Sequence, residues 1–483
     1  MAYTLVFVFA GFGNVQDPLY WLYKYEHLEG GWMAVGTLLT GGVVVRLFGA
    51  RLLALRLVGW LCTVAAIALP YCFLLNKEQR RDNLHWLALT YILMGYGAFQ
   101  EFSSGTLSVL LLSALWVTQS PVVLGLAIAA RFPNILALLV LIPLWKKQAL
   151  WKIPLAALTA GIVYLLGYCF VTPAPMDAAM TSHDLMDMLT KLWTNSGKLI
   201  LYAFMAVGVM AIGHWTKEKG SSIIYHLSSL IVGLALALVV IYTTKPHQWY
   251  NTDLTYLISA LVLVIAIARR QYMGAAILIV ATLGTDTAWL KLFPAVLCLL
   301  PIALSQYASL TEKRYWAVVL AILAVVTAYR MTTNSIGNKD LTKVNTIASV
   351  APYQGIAIRS SEQQRLLQYQ ADCDSLSIIY NLSSILAIGQ ENHLLRVVTH
   401  CEAARFNEFW SNIYDSVYTA KYAPIIATEH PTVFCTYSPQ FKTKPEYKDQ
   451  DSRFERMLLE SGYRAIDRSK YKYMIYVYDQ EVQ

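Results

Sequence analysis

Between residues 13 and 32 the chain reads Gly-Asn-Val-Gln-Asp-Pro-Leu-Tyr-Trp-Leu-Tyr-Lys-Tyr-Glu-His-Leu-Glu-Gly-Gly-Trp. Asp17 follows an uncharged apolar segment by a few residues, which would set its carboxylate at a membrane surface. A carboxylate there is a group able to accept a proton at that surface. Behind it come aromatics at 20, 21, 23, 25 and 32, residue types that favour a water–lipid interface. The segment reads as an amphipathic in-plane helix behind a carboxylate, although a solvated loop with an aromatic anchor fits the same residues. Glu26, His27 and Glu29 add two acids and an imidazole close by.

Other polar groups interrupt apolar surroundings. Arg131-Phe132-Pro133-Asn134 breaks an apolar stretch, and a cation such as Arg131 is costly there unless it is partnered or faces a polar cavity. Lys245 and His247 lie with Trp249 and Tyr250 in one short loop. That set reads first as a hydrated connector with an aromatic anchor, and second as a site for a phosphate and a sugar ring. Glu101 is a candidate second carboxylate, and Asp286 in Gly284-Thr285-Asp286-Thr287 is either a helix cap or a cleft residue. Arg80 and Arg81 are alternative phosphate partners. Residues 172–197, with Asp177, His183, Asp184 and Asp187 among methionines and leucines, suggest an interfacial helix or a lid. No Cys-x-x-Cys or His-x-His cluster points to a metal, and no Gly-rich phosphate loop follows a strand.

The elements that position these groups follow from composition. Of 483 residues, 57% are apolar and 14% charged, with a mean hydropathy of +0.46; soluble domains carry about 25% charged residues. That excludes disorder, a nucleic-acid-binding array and a disulfide-stapled scaffold. Residues 1–330 hold 22 Lys+Arg and 13 Asp+Glu, residues 331–483 hold 16 and 17. The net charge of +8 therefore belongs to the apolar part. The reading is a polytopic membrane protein, mainly α-helical, over 1–331, and a soluble α/β domain over 332–483.

A bilayer core of about 30 Å takes about 20 apolar residues per helix. Thirteen candidate transmembrane helices are 3–13, 34–48, 53–75, 85–98, 105–118, 121–145, 153–171, 198–214, 223–243, 254–268, 272–286, 289–308 and 316–331. Basic clusters recur at every second loop, at Lys146/Lys147/Lys152, Lys217/Lys219, Arg269/Arg270 and Lys313/Arg314, which makes those loops cytoplasmic. Loops 172–197 and 244–253, the turn near 287 and everything after 331 then face outward. Two features resist simple alternation. Lys77, Arg80 and Arg81 fall outside, and Pro133 sits inside the 121–145 crossing. Either that helix is broken around Arg131, or the region holds two short helices and another span is re-entrant. Residues 1–13 have no basic start and no cleavage site, so they read as a first helix and not a signal peptide.

After residue 331 the pattern predicts strands at 378–380, 385–388, 425–427, 433–437 and 473–478, with helices at 362–371, 402–418 and 452–461. Strands alternating with helices predict a small, largely parallel α/β sandwich. Cys373, Cys401 and Cys435 lie there; sequence does not choose a disulfide among them.

The order Asp17, Tyr20-Trp21-Leu22, His27, Gly30, then Arg46-Leu47-Phe48-Gly49 and Ala54-Leu55-Arg56-Leu57, resembles GT-C membrane glycosyltransferases. Within them it is most similar to the protein O-mannosyltransferase and lipid A aminoarabinose transferase group. Gly125-Leu126-Ala127 up to Asn134 resembles a further motif of that group. The resemblance covers residues 1–150, the remainder matching by layout. It implies transfer of a sugar from a polyprenyl-phosphate donor to a glycan, lipid or protein acceptor on the outer face. Asp17 would be general base or acceptor-orienting group, and Arg131, Lys245 and His247 would meet the donor's phosphate. Glu26, His27, Glu101 and Asp286 would be further cleft residues. The implied setting is a bacterial inner membrane with a periplasmic C-terminal domain. No cofactor is implied, the need for a divalent cation stays open, and the partners are donor, acceptor and membrane lipids, without nucleic acid. This sequence departs from the group in having Pro18 after the Asp and no acid or proline at 31–36. A transporter or flippase for lipid-linked glycans, an O-antigen ligase or polymerase, and a non-catalytic scaffold displaying the C-terminal domain are the competing classes.

Overall fold

The structure is a computed structural model, and it describes residues 8–10, 17–94, 101–173, 185–218, 222–243, 252–282, 288–306, 310–334, 343–380, 385–389, 416–436, 455–471 and 473–479. Helix α1 (Asp17–His27) ends where Leu28 takes a positive φ. Helix α2 (Val35–Phe48) follows and stops at Gly49, whose φ of 77° is costly for any residue with a Cβ. A Cβ on Gly41 would lie 2.2 Å from the Tyr25 ring, and one on Gly42 2.3 Å from Leu28. The two glycines thus let α2 lie against α1. The predicted span 34–48 is accordingly corrected to a helix paired with α1.

Helix α3 (Leu52–Leu74) is apolar and 23 residues long, enough to cross a bilayer. A short helix α4 (Lys77–Asp82) follows, opened by a capping box between Asn76 and Gln79. Then come α5 (Leu84–Met94), α6 (Ser104–Thr118), α7 (Pro121–Ala130), α8 (Leu138–Trp145) and α9 (Ala149–Phe170). Between α7 and α8 the chain makes a 3-10 turn over Phe132–Ala137. Buried Asn134 holds that turn: its amide donates to the Ala127 carbonyl at 2.8 Å and its oxygen accepts from Ser108 Oγ at 2.9 Å. The backbone groups freed by Pro133 are thereby partly replaced.

Helices α7 and α9 run parallel. Gly36 at the start of α2 meets Ala129 and Ala130, Gly167 meets Val35, and further down Gly125 meets Ala156 and Thr159. Segment 121–145 is therefore two helices, up and back, and not one crossing. This is the two-helix alternative with a second predicted span removed. The two changes cancel after residue 146, which is why the later loops alternate correctly in the sequence. Before 121 they do not cancel, and Lys77, Arg80 and Arg81 move to the other end.

Contacts between loops fix that end. Glu312 joins Lys217 at 3.2 Å and Arg269 at 3.9 Å. Gln119 Nε2 reaches Met273 Sδ at 3.7 Å. Lys313 lies close enough to His85 for its charge to act on the imidazole. One end of the bundle thus gathers the basic segments. The opposite end holds α1, α2 and a two-strand pairing of β1 (Glu29–Gly30) with β2 (Thr172–Pro173).

The rest of the bundle comprises α10 (Leu185–Glu218), α11 (Ser222–Thr243), α12 (Thr252–Ala268), α13 (Tyr272–Ile279), α14 (Ala288–Leu297), α15 (Leu300–Ser305) and α16 (Leu310–Asn334). Residues 185–197, expected as a separate interfacial helix, are the first turns of 34-residue α10. The bundle's outer surface is apolar. Leu150 is 84% exposed, Phe204 74% and Ile223 78%, with Leu158, Leu165, Tyr168 and Leu238 similar. A water-soluble protein rarely leaves such continuous apolar faces bare, whereas a bundle solvated by acyl chains needs them. Leu52–Leu74 and Phe132–Phe170 are the described runs long and apolar enough to cross a membrane, the second interrupted at Lys146, where φ is 51°.

After the bundle, β3 (Thr346–Ile347) pairs antiparallel with β4 (Ala357–Ile358). Among the described residues that follow are helix α17 (Ser360–Tyr380), β5 (Ile385–Gly389), α18 (Ser416–Glu429), β6 (Thr432–Thr436), β7 (Tyr463–Arg468) and β8 (Tyr473–Tyr478). The sheet order is β5-β6-β8-β7. Only β5–β6 is parallel; β6–β8 and β8–β7 are antiparallel, which corrects the largely parallel sheet. Four residues between β7 and β8 cannot make the long crossover a parallel pair requires. Residues 378–380 and 425–427, predicted as strands, are helical. Their apolar side chains belong to longer helices, and a short apolar run does not tell strand from helix. The predicted helix 402–418 lies mostly outside the described residues.

The sheet has two apolar faces. Val433 and Tyr476 pack with Tyr422, Ile426 and Leu458. Phe434, Tyr473, Ile475 and Val477 pack with Leu366, Tyr369 and Cys373 of α17, in one core with Leu19, Leu22 and Tyr25 of α1. The Leu52 N–H donates to the Pro352 carbonyl at 3.0 Å, and Ala10 bridges to Ala357. The C-terminal part therefore shares its core with the α1–α2 layer. Cys373 is buried in this core, and the side chains of Cys401 and Cys435 lie outside what is described.

Candidate functional site

Helix α1 begins at Asp17, and helical spacing sets residues 17, 21 and 25 on one stripe. Trp21 stacks on Tyr25 with ring centroids 5.6 Å apart, and Tyr25 lies 5.8 Å from Phe102. The Tyr25 hydroxyl donates to the Phe102 carbonyl at 3.1 Å. Burial, and secondarily Cys62, holds that phenol well above its ordinary pKa, so it acts as a neutral donor. The Phe102 N–H in turn donates to the Leu55 carbonyl at 2.9 Å. Of the aromatics expected to lie flat in the interface, Trp32 is exposed, Trp21 and Tyr23 are half-buried, and Tyr20 and Tyr25 are buried; Leu19, Leu22 and Tyr25 have no exposed surface. The shared core with α2, α3 and the C-terminal sheet takes them up.

Glu101 stands beside this stripe and pairs with Arg56, Nε to Oε1 at 3.2 Å. Arg56 is 2% exposed and Glu101 21%. A charge this deep in the apolar α3 is costly without a partner, so the pair fastens residues 101–103 over α3. Arg56 carries no role in the sequence reading. The signal was available as a lone cation inside an apolar span.

Arg131 is 5% exposed, at the end of α7, and donates to the Ala281 carbonyl at 2.6 Å. The start of α2 covers the same place, since Thr37 Oγ1 donates to the Ala130 carbonyl at 2.8 Å. Both Arg131 and the Arg56–Glu101 pair thus sit under the α1–α2 layer. Glu26 and His27 lie on its solvent face. His27 stacks on Tyr23 at 4.3 Å, with Nδ1 3.0 Å from the Tyr23 carbonyl. Lys24 is buried, its ammonium 4.0 Å above the Tyr20 ring. Lys245, His247 and Asp286 lie outside the described residues, as does the 174–184 part of the expected lid. Arg80 and Arg81 are at the basic end; Arg80 donates to the Cys72 carbonyl at 2.7 Å. Among the described residues no cluster of His, Cys, Asp or Glu could hold a metal ion.

No family model and no curated protein matches the chain. Among solved structures, the crystal structure of ArnT from Cupriavidus metallidurans bound to undecaprenyl phosphate aligns with 100% of this chain and 97% of its own. The TM-score is 0.42 and the identity 9%. At those values the likeness transfers neither fold nor function.

Proposed function

We propose that this chain is an integral-membrane glycosyltransferase that moves a sugar from a polyprenyl-phosphate donor to an acceptor at the outer face of a bacterial inner membrane. The observation that carries this reading is the α1–α2 layer. It starts at a carboxylate residue, roofs a buried cation, and is held between the bundle's non-basic end and the C-terminal sheet. The positive-inside bias makes the basic end cytoplasmic. It follows that α1, α2, Arg131 and the described residues after 343 belong to the outer side, where a donor's phosphate sits at the headgroup level.

The chemistry fits the groups. An acceptor oxygen attacks the anomeric carbon, the bond from that carbon to the phosphate oxygen breaks, and the acceptor's proton passes to Asp17. The departing lipid phosphate gains charge, which Arg131, with Lys245 and His247, would offset. Glu101 serves as Arg56's ion-pair partner and positions the Phe102–Tyr25 contact. The test is transfer by the full chain in lipid nanodiscs, supplied with polyprenyl-phosphate hexoses, pentoses and aminosugars plus a cell-envelope extract. Release of free polyprenyl phosphate is expected with one of these donors; release with none would overturn the reading.

A further inference from the structure

The C-terminal part carries an open polar depression with about 490 Å³ of space, lined by Gln368, Asp467, Arg468, Lys470 and Tyr471. That volume falls in the range of small-molecule sites, about 300–1,000 Å³. Its wall is fixed from behind by Asp372, which is 5% exposed. Arg468 grips Asp372 as a fork, Nε to Oδ2 at 2.9 Å and Nη2 to Oδ1 at 2.8 Å. The Tyr473 hydroxyl donates to Oδ2 as well. Gln368 Nε2 donates to Oδ1 at 3.1 Å. A carboxylate only accepts, so the amide nitrogen must face Asp372 and the amide oxygen must face away. Two lining side chains are thus oriented before any ligand arrives, which lowers the ordering cost of binding.

The charges select the ligand. Asp372 and Asp467 balance Arg468 and Lys470, so the site has no surplus for an anion. It offers donors and acceptors on planar groups beside an aromatic ring, the combination that vicinal hydroxyls and the C–H face of a pyranose use. Tyr471 stands beside Tyr473, ring centroids 6.5 Å apart, and packs on the core that α17 and the sheet share with α1. We propose that the depression holds a neutral sugar unit of the acceptor glycan. Its assignment to the acceptor rests on the glycosyltransferase reading; sugar binding as such does not.

The experiment is saturation-transfer NMR on the full chain in nanodiscs with methyl α-glycosides of mannose, glucose, galactose and N-acetylglucosamine, and separately with inorganic phosphate. At least one glycoside is expected to show saturable transfer. Tyr471→Ala should weaken it about tenfold, equivalent to ~1.4 kcal/mol, while Tyr471→Phe keeps the ring and most of the signal. Gln368→Glu should also weaken it. No transfer from any glycoside, equal transfer in Tyr471→Ala, or binding of phosphate alone would overturn the proposal. Donor turnover is read separately. Glycoside binding without turnover would count against the enzyme reading and leave the sugar site standing, and turnover without binding would do the reverse.

Discussion

Replacing Gly41 by Ala tests whether the α1–α2 contact positions the site. The new Cβ would stand 2.2, 2.4 and 2.5 Å from three Tyr25 ring carbons, where ordinary contact starts at 3.4 Å. The ring must therefore retreat by about 1.2 Å or α1 must lift. Tyr25 has no exposed surface, and its hydroxyl is tied to Phe102, so retreat is blocked. Overpacking of this kind costs about 1–3 kcal/mol, and this site belongs near the upper figure. A displacement of about 1 Å in reacting geometry can cost ~100-fold in rate. The assay pairs detergent-induced unfolding, followed by tryptophan fluorescence, with release of polyprenyl phosphate. Gly31→Ala is the control, because nothing lies within 4 Å of its Cβ position. Gly41→Ala with Tyr25→Leu should regain stability as the ring is removed. Wild-type stability and turnover in Gly41→Ala alone would refute the packing argument.

Arg56→Met should destabilise by about 3 kcal/mol, the low end for a broken buried pair, because Glu101 keeps 21% exposure. Adding Glu101→Met should recover most of that loss in the same unfolding assay. Asn134→Leu removes the bonds to Ser108 and Ala127 and should cost about 3 kcal/mol by leaving buried groups unpaired. In a chain freed of its native cysteines, Arg80→Cys, Lys217→Cys and Arg269→Cys should react with an impermeant maleimide from one side of sealed vesicles and Gly31→Cys from the other. Labelling of Arg80→Cys from the Gly31 side would refute the assigned ends.

Much of the helical part was legible because lipid-facing helices are apolar all round, and basic loops mark one end regardless of fold. What sequence could not show was how α2 and α7–α8 lie. Residues 35–48 have the composition of a span, and only Gly41 and Gly42 receiving Tyr25 and Leu28 reveal a helix laid on another. Arg131-Phe132-Pro133-Asn134 announced a break, but its direction depended on Asn134 finding Ser108 and Ala127 from a distant helix. In the C-terminal part, strands β6 and β8 show in the β-branched and aromatic runs, whereas β7, with Arg464, Asp467 and Arg468 in it, reads as polar and escapes. Of the site, Asp17 and Arg131 stood out as charges at the edges of apolar segments. Arg56 was visible as a cation inside an apolar span, but its partner was not, since an ion pair 45 residues apart in sequence leaves no local trace.

The most direct measurement of the central proposal is turnover by Asp17→Asn in the full chain, with the active donor found for the wild type. The substitution keeps the size of the side chain and removes its basicity. Loss of a positioned general base costs about 10²–10⁴-fold, so release of polyprenyl phosphate should fall into that range while the unfolding profile stays that of the wild type. Full turnover by Asp17→Asn, in a protein of unchanged stability, would contradict a base at the start of α1.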